Sequence, residues 1–152
     1  MVGGRLRLII STSRYLNPQI QHNIRTILQI PVIQMYGVTE AGGICCIQNI
    51  NDKDVMNVGA PTTSCEIRLR NFVIANTNVN SGEQGEILIK GPSLFKCYHK
   101  NEDLTRKSFA EDQWFATGDL GKINTNGTVQ IIDTIMDFNK RRQDRFERGY
   151  YI

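Results

Sequence analysis

The chain has 152 residues, of which 40% are hydrophobic and 22% are charged, and its formal net charge is +3. This composition is typical of a globular protein with one apolar core, and it excludes a disordered or fibrous chain. No apolar run approaches the roughly 20 residues of a membrane-spanning helix, and the N-terminus lacks the long apolar segment of a secretory signal, so we expect an intracellular, soluble chain.

The excess positive charge lies at the C-terminus. Between Lys140 and Arg148, five basic side chains stand against two acidic ones, and the rest of the chain is neutral. Such a short basic tail is typical of a solvated helix face. Nucleic-acid binding through this tail is the alternative, and we do not expect a nucleic-acid partner.

The cysteines are Cys45, Cys46, Cys65 and Cys97. They lack the spacing of a zinc site, and nothing in their pattern indicates a disulfide framework, so we expect a reducing compartment. Because Cys65 alternates with apolar residues, we expect a buried thiol that acts as a small hydrophobic side chain.

The first third of the chain predicts a strand, a helix and a second strand. The apolar run over residues 6–10 is typical of a buried strand. Asn17 is a good N-cap and Pro18 suits the first helical position. The predicted apolar face of the helix consists of Ile20, Ile24, Ile27 and Leu28. Pro31 ends the helix and Val32 begins the next strand, an order that indicates a parallel pair covered by a helix.

The middle of the chain changes to a period of two. Residues 65–69 alternate between apolar and polar side chains, and in residues 86–90 Ile87 and Ile89 alternate with Glu86, Leu88 and Lys90. Both segments predict strands, with a polar loop over residues 76–82 between them. Asn101 can cap a short helix that runs to Phe109, with acidic residues in its first turn.

The last predicted elements are strands. A turn over Thr117–Asp119 leads into a strand that ends at Ile123, and Asn126-Gly127 predicts a hairpin to a strand over Val129–Ile132. The fold class is therefore α/β, with a strand-helix-strand piece of a mixed sheet followed by a mainly β segment.

The segment Met35–Gly43 holds an aromatic ring, a hydroxyl and a carboxylate between glycines. Tyr36 offers a flat face for a base, Thr39 a hydroxyl for phosphate and Glu40 an acid for a metal ion. Gly37 and the two final glycines allow backbone turns and the close approach of a ligand. The alternative is a strand-to-helix turn in which Thr39 caps the helix and Glu40 is an acid of its first turn.

Motifs in a specific order accompany this segment. Tyr36–Glu40 is followed by Val58–Pro61, by Tyr98–Glu102, by Trp114–Asp119 and by Gln130–Asp133. Each motif is weak alone, but their order and spacing are specific. With them the chain resembles the AMP-forming acyl-CoA synthetases of the adenylate-forming superfamily, and it is most similar to the long-chain fatty-acid CoA ligases.

The resemblance implies an activity and its cofactors. In that family a fatty acid and Mg·ATP give acyl-AMP and pyrophosphate, and the thiol of CoA then displaces AMP. The resemblance therefore implies ATP or AMP, Mg²⁺ and CoA as cofactors and a fatty acid as substrate. It also implies a cytoplasmic location, in association with the endoplasmic reticulum or other membranes.

The family's site residues carry over to five positions. Tyr36, with the backbone at Gly37, would bind adenine by stacking. Thr39 would hydrogen-bond phosphate and, with Glu40, act in catalysis, while Glu40 would help to hold Mg²⁺. Asp119 would accept hydrogen bonds from the ribose hydroxyls. Without the resemblance, Asp119 would be a turn-forming residue.

The chain also departs from the family pattern. Residues 12–15, Thr-Ser-Arg-Tyr, stand where the family has a small Gly-Gly-Ala-Pro loop along the adenine, and Cys97 replaces a glycine. Residues 134–137, Thr-Ile-Met-Asp, replace Arg-Lys-Lys-Asp, of which the Arg helps to bind the nucleotide.

The domain prediction follows from these comparisons with the family pattern. We expect a partial AMP-binding domain over residues 1–137 and a basic tail over residues 138–152 in place of the hinge and C-terminal lid. Because the family's phosphate loop and its lid with the catalytic Lys have no counterpart here, we expect this fragment alone to be inactive. The alternative is a non-catalytic module that binds an adenine nucleotide or a partner.

Overall fold

The computed structural model describes residues 3–13, 16–71, 73–74, 77–78, 84–137 and 140. Residues 14–15, which belong to the segment that departs from the family's small loop, and most of the predicted basic tail lie outside the described residues. In chain order the elements are β1 (Ile9–Ser11), α1 (Pro18–Leu28), β2 (Val32–Val38), β3 (Gly43–Ile47), β4 (Ala60–Pro61), β5 (Glu66–Arg70), β6 (Val73–Ile74), β7 (Thr77–Asn78), β8 (Gln84–Lys90), α2 (Glu102–Ser108), β9 (Phe115–Ile123) and β10 (Val129–Thr134).

Two four-stranded sheets organise these elements. The first has the order β1-β2-β3-β4, in which β1 and β2 are parallel and the other pairs are antiparallel. The second has the order β10-β9-β8-β5 and is antiparallel throughout. A mixed first sheet followed by a mainly β segment confirms the predicted α/β fold class.

The first strand is shorter and more exposed than predicted. It begins at Ile9, and Leu6 and Ile10 are 38% and 46% exposed, so the prediction of a buried strand over residues 6–10 is wrong. The reason is the position of β1 at the edge of its sheet, where β2 is its neighbour on one side. An edge strand is covered less completely than a central one.

The start of α1 is confirmed, but its predicted buried face is partly wrong. The Asn17 side chain accepts a hydrogen bond of 2.8 Å from the backbone N–H of Gln19, as an N-cap does. Ile20 and Ile27, however, are 51% and 77% exposed, whereas Gln21 is fully buried. The helix faces the sheet through Gln21 and Arg25, because both side chains donate hydrogen bonds to the carbonyl of Val32.

A buried amide network explains this orientation. Gln21 Nε2 donates to Oε1 of Gln48 on the loop after β3 (2.9 Å), and Gln34 Nε2 donates to Gln21 Oε1 (2.8 Å). Gln48 Nε2 in turn donates to the carbonyl of Asn57 (2.7 Å). Buried amides require such partners. In the part of the chain that the structure describes, every fully buried side-chain nitrogen or oxygen has a hydrogen-bond partner.

The apolar core lies between the two sheets. Its buried members are Tyr36, Ala41, Cys45, Cys46, Val58, Ile87, Ile89 and Val129. Cys65 is half-buried and packs against this cluster, so the prediction of a buried thiol is confirmed only in part. Burial raises the pKa of Cys45 to about 11, so this thiol is protonated at neutral pH.

The remaining predictions concern short elements. Asn101 Oδ1 accepts from the N–H of Leu104, which confirms the capped helix α2. Asn126-Gly127 connects β9 and β10 as a hairpin, also as predicted. The segment predicted as a polar loop contains β7, which pairs with β6, and its other residues are not described. Among the described residues, no helix is long and apolar enough to cross a membrane.

Candidate functional site

The segment from Tyr36 to Gly43 forms a tight β-hairpin. Tyr36 and Gly37 lie on β2, a single 3-10 turn covers Thr39–Ala41, and β3 follows. The alternative of a strand-to-helix turn is therefore correct only in part, since Glu40 is an acid of this turn but no longer helix follows. Thr39 makes no side-chain cap. A Cβ atom at Gly37 would lie 1.7 Å from the carbonyl oxygen of Gly43, so the hairpin itself requires glycine here.

Asp119 lies on a bulge of β9 in the second sheet. Leu88 and Glu86 of β8 pair with Ala116 and Leu120, so the three residues Thr117–Asp119 lie opposite Ile87 alone and interrupt the ladder with β8. Asp119 still pairs with Thr134 of β10. The predicted turn is therefore a bulge within one strand, with Gly118 at a φ of 75°. Bulges of this kind redirect a side chain out of the sheet.

Hydrogen bonds to β8 fix the bulge. Thr117 Oγ1 donates to the carbonyl of Ile87 (2.9 Å) and accepts from the N–H of Asp119 (3.1 Å). The N–H of Gly118 donates to Oε1 of Glu86 (3.3 Å), and Arg70 Nε donates to Oε2 of the same carboxylate (3.0 Å). The ion pair with Arg70 compensates the buried charge of Glu86.

The two sheets meet at Tyr36 and Asp119. The Tyr36 hydroxyl donates a hydrogen bond of 2.6 Å to Asp119 Oδ2. Burial and the Asp119 charge raise the pKa of Tyr36, so the phenol remains a donor. Burial raises the pKa of Asp119 above its usual range; the bond from Tyr36 opposes this shift and the Glu86 charge adds to it.

A cavity of about 770 Å³ opens beside this pair. Its walls include Tyr36, Gly37 and Asp119, together with residues 55–58 and residues 131–134. The structure thus brings together three of the predicted site residues, which come from two separate motifs. Thr39 and Glu40 are not among the residues that line the cavity.

Glu40 has a partner to which sequence reasoning assigned no role. The Tyr98 hydroxyl donates a hydrogen bond of 2.7 Å to Glu40 Oε1. The N–H of Phe95 donates to the Glu40 carbonyl, also at 2.7 Å. The only signal in the sequence was the Tyr98–Glu102 motif, which supports the resemblance but indicates no contact with Glu40.

The residues around Glu40 can contribute to a magnesium site but do not form one alone. Among the described residues, no cluster of three or more histidine, cysteine or acidic side chains exists. Mg²⁺ is commonly bound through one or two carboxylates, several waters and the phosphates of a substrate. A single carboxylate such as Glu40 fits that mode of binding.

Comparison with known proteins identifies the family. The sequence pattern of the family described as AMP-binding enzyme matches residues 1–99, well over half of the chain. The chain belongs to the AMP-binding enzymes. Fatty acyl-CoA synthetase A of Dictyostelium discoideum is 34% identical over 155 residues, which cover 99% of this chain and 23% of that protein. Long-chain-fatty-acid–CoA ligase 6 of Rattus norvegicus is also 34% identical, and the match covers 99% of this chain and 21% of the ligase.

Solved structures of AMP-binding enzymes have the same fold. O-succinylbenzoate CoA synthetase of Bacillus subtilis, solved in complex with AMP, superimposes with a TM-score of 0.71 and 28% identity, covering 87% of this chain and 27% of that one. The resemblance to acyl-CoA synthetases is therefore confirmed. The AMP-binding chain described here spans less than a quarter of the curated relatives that it matches.

Proposed function

We propose that this chain forms the nucleoside-binding wall of a fatty acyl-CoA synthetase, which activates a fatty acid with ATP to acyl-AMP and then forms acyl-CoA. The observation that carries the proposal is the hydrogen bond between Tyr36 and Asp119 at the edge of the cavity. The bond joins two motifs that are 83 residues apart. The names of the relatives support the acyl-CoA synthetase activity.

Asp119 binds the ribose in this proposal. A carboxylate has about four lone-pair sites, and the bond from Tyr36 occupies one of them, so the others remain for two ribose hydroxyls. Because the bulge is anchored to β8, the carboxylate is held in place before the nucleotide arrives. Such preorganisation lowers the entropic cost of binding.

Adenine binds against Tyr36 and the backbone of Gly37. Both residues line the cavity, and the aromatic ring offers a stacking surface worth about 1–3 kcal/mol per base. The hairpin requires glycine at position 37, because a side chain there would collide with β3.

The phosphates bind toward the turn after β2. Thr39 donates to phosphate through its exposed hydroxyl, and Glu40 contributes one oxygen ligand to Mg²⁺. When bound, Mg²⁺ supplies positive charge that neutralises the phosphates during adenylation, and CoA supplies the thiol of the second step. Thr39 and Glu40 therefore act at the reacting end of the nucleotide.

A second candidate is a nucleotide-binding module without catalysis. Thr134, which pairs with Asp119 on β10, supplies no positive charge to the cavity that it lines, where the family pattern has an Arg. Its hydroxyl accepts a hydrogen bond from the N–H of Asp137 instead (3.1 Å). Loss of a preorganised cation weakens stabilisation of the transition state more than binding of AMP.

An NMR titration of the chain with AMP tests the claim that both candidates share, namely that the chain binds an adenine nucleotide. We expect amide signals of residues 36–38, 117–119 and 131–134 to shift and to saturate in the millimolar range. Absence of any shift would remove both candidates. Pyrophosphate release with ATP, Mg²⁺, CoA and palmitate then tests catalysis by the chain alone: turnover above that of Glu40→Ala would support the synthetase and exclude the module without catalysis.

A further inference from the structure

The Glu40 side chain is held by a residue from another part of the chain. Its Oε1 accepts a hydrogen bond of 2.7 Å from the hydroxyl of Tyr98, 58 residues away. Glu40 lies on the 3-10 turn between β2 and β3, and Tyr98 lies between β8 and α2. The bond therefore connects the first sheet to the segment that follows the second sheet's β8.

Tyr98 is itself fixed from two sides. Its backbone N–H donates to Thr105 Oγ1 of α2 (2.9 Å), and its ring lies 4.7 Å from the ring of Phe95, between centroids. The N–H of Phe95 donates to the carbonyl of Glu40. The main chain and the side chain of Glu40 are thus both bonded to one short segment, Phe95–Tyr98.

We propose that Tyr98 is a positioning residue for Glu40, which holds one carboxylate oxygen so that the group is ordered before it binds Mg²⁺. The inference rests on the proposed function, in which Glu40 is a ligand of that ion. Carboxylates that bind metals are themselves hydrogen-bonded in proteins, and loss of such a partner typically costs about 10–100-fold in metal affinity.

The hydroxyl is the part of Tyr98 that this role needs. Ring packing against Phe95 requires only a phenyl group, and Phe at position 98 would preserve it. The hydroxyl donates directly to Glu40 Oε1, and a Phe ring has no donor at that place. Tyr98→Phe therefore separates positioning from packing.

The test measures the binding of Mn²⁺, used in place of Mg²⁺, to the chain in the presence of ATP. Paramagnetic broadening of the amide signals of Thr39–Ala41 reports the bound ion and its apparent affinity. We expect Tyr98→Phe to weaken Mn²⁺ binding about tenfold or more, and to leave the affinity for AMP without metal unchanged. Thr26→Ala, which removes an exposed hydroxyl on α1, serves as the control and leaves both affinities unchanged.

A double-mutant cycle sharpens the result. Glu40→Gln is expected to abolish the broadening, and Tyr98→Phe in that background to have no further effect, since the two residues act as one unit. If Tyr98→Phe bound Mn²⁺ with wild-type affinity while Glu40→Gln lost that affinity, the inference would be overturned and the proposed function would stand. Wild-type Mn²⁺ affinity in Glu40→Gln would overturn both.

A second variant covers the case in which Tyr98→Phe does not fold, as judged by its melting curve. Thr105→Val removes the acceptor that fixes the Tyr98 backbone and leaves the hydroxyl in place. We expect a smaller loss of Mn²⁺ affinity, severalfold, again with unchanged binding of AMP. An unchanged Mn²⁺ affinity in this variant would overturn the inference.

Discussion

The hydroxyl of Tyr36 donates a hydrogen bond of 2.6 Å to Oδ2 of Asp119, and this bond joins the two four-stranded sheets. Tyr36 lies on β2 and is 9% exposed, so its hydroxyl reaches Asp119 from within the core. Asp119 reaches it because the bulge of β9 directs the carboxylate out of its own sheet. The candidate site therefore forms where the two four-stranded sheets pack against each other.

The first prediction concerns this bond. Tyr36→Phe removes the donor that opposes the raised pKa of Asp119, so we expect that pKa to rise further, and the chain to lose about 1.5–3 kcal/mol of stability at neutral pH. NMR titration of the Asp119 carboxyl and urea unfolding measure the two effects. Tyr98→Phe removes a hydroxyl donor from a different carboxylate, that of Glu40, and should leave the pKa of Asp119 unchanged.

The second prediction is a pH dependence of stability. Because burial raises the pKa of Asp119, the folded chain holds this proton more tightly than the unfolded chain does. The contribution of Asp119 to stability is therefore greatest in acid, and it is lost as pH rises from about 4 through the raised value.

Asp119→Asn makes this dependence measurable. The Asn carbonyl still accepts from Tyr36 but carries no charge, so we expect the variant to melt above wild type at neutral pH and the difference to close in acid. Melting curves across this range measure it. A difference that grows in acid would show that the pKa of Asp119 is lowered by folding.

The third prediction concerns the amide network. Gln48→Leu leaves the N–H of Gln34 without its side-chain acceptor. It also removes one of the two acceptors of Gln21 Nε2 and leaves the carbonyl of Asn57 with only the long 3.5 Å bond from Gln34 Nε2. An unsatisfied buried group costs about 1–3 kcal/mol, so we expect a loss of about 1–3 kcal/mol in urea unfolding. Gln19→Leu, on the exposed face of α1, should change stability by less than about 0.5 kcal/mol.

The fourth prediction concerns thiol reactivity. Burial raises the pKa of Cys45 to about 11 and also raises that of Cys46, and both side chains are buried, whereas Cys97 is exposed. Iodoacetamide at neutral pH should therefore modify Cys97 first and reach the other two only after unfolding. Peptide mass spectrometry over time measures the order. Equal rates at Cys45 and Cys97 would contradict the described packing.

Elements with local determinants could be predicted from the sequence. The start of α1 depends on Asn17, whose side chain accepts from the N–H two residues later. The hairpin at Asn126-Gly127 depends on a similarly short interaction, in which Asn126 Oδ1 accepts from the N–H of Thr128. Such partners lie within a few positions along the chain, so the residue types alone indicate the structure.

Features with distant partners could not be predicted. Periodicity identified an apolar stripe on α1, but Gln21 is buried because its amide meets Gln48, 27 residues away. The bulge at Asp119 depends on the contact between Gly118 and Glu86, 32 residues away. An amide or a glycine in the sequence carries no information about which distant group will lie opposite.

The candidate site was also predicted only in part. Motif resemblance predicted Tyr36, Gly37 and Asp119, and all three line one cavity. The bond between Tyr98 and Glu40 was not predicted, because an aromatic residue before a short helix does not indicate a carboxylate partner on another sheet.

The central claim is that Asp119 binds the ribose of an adenine nucleotide. The most direct measurement compares the affinities of the chain for AMP and for dideoxy-AMP, which lacks both ribose hydroxyls, in wild type and in Asp119→Ala. We expect wild type to prefer AMP by about tenfold or more, and Asp119→Ala to bind both weakly and without preference. Equal binding of the two nucleotides by wild type, or an undiminished preference in Asp119→Ala, would contradict this claim.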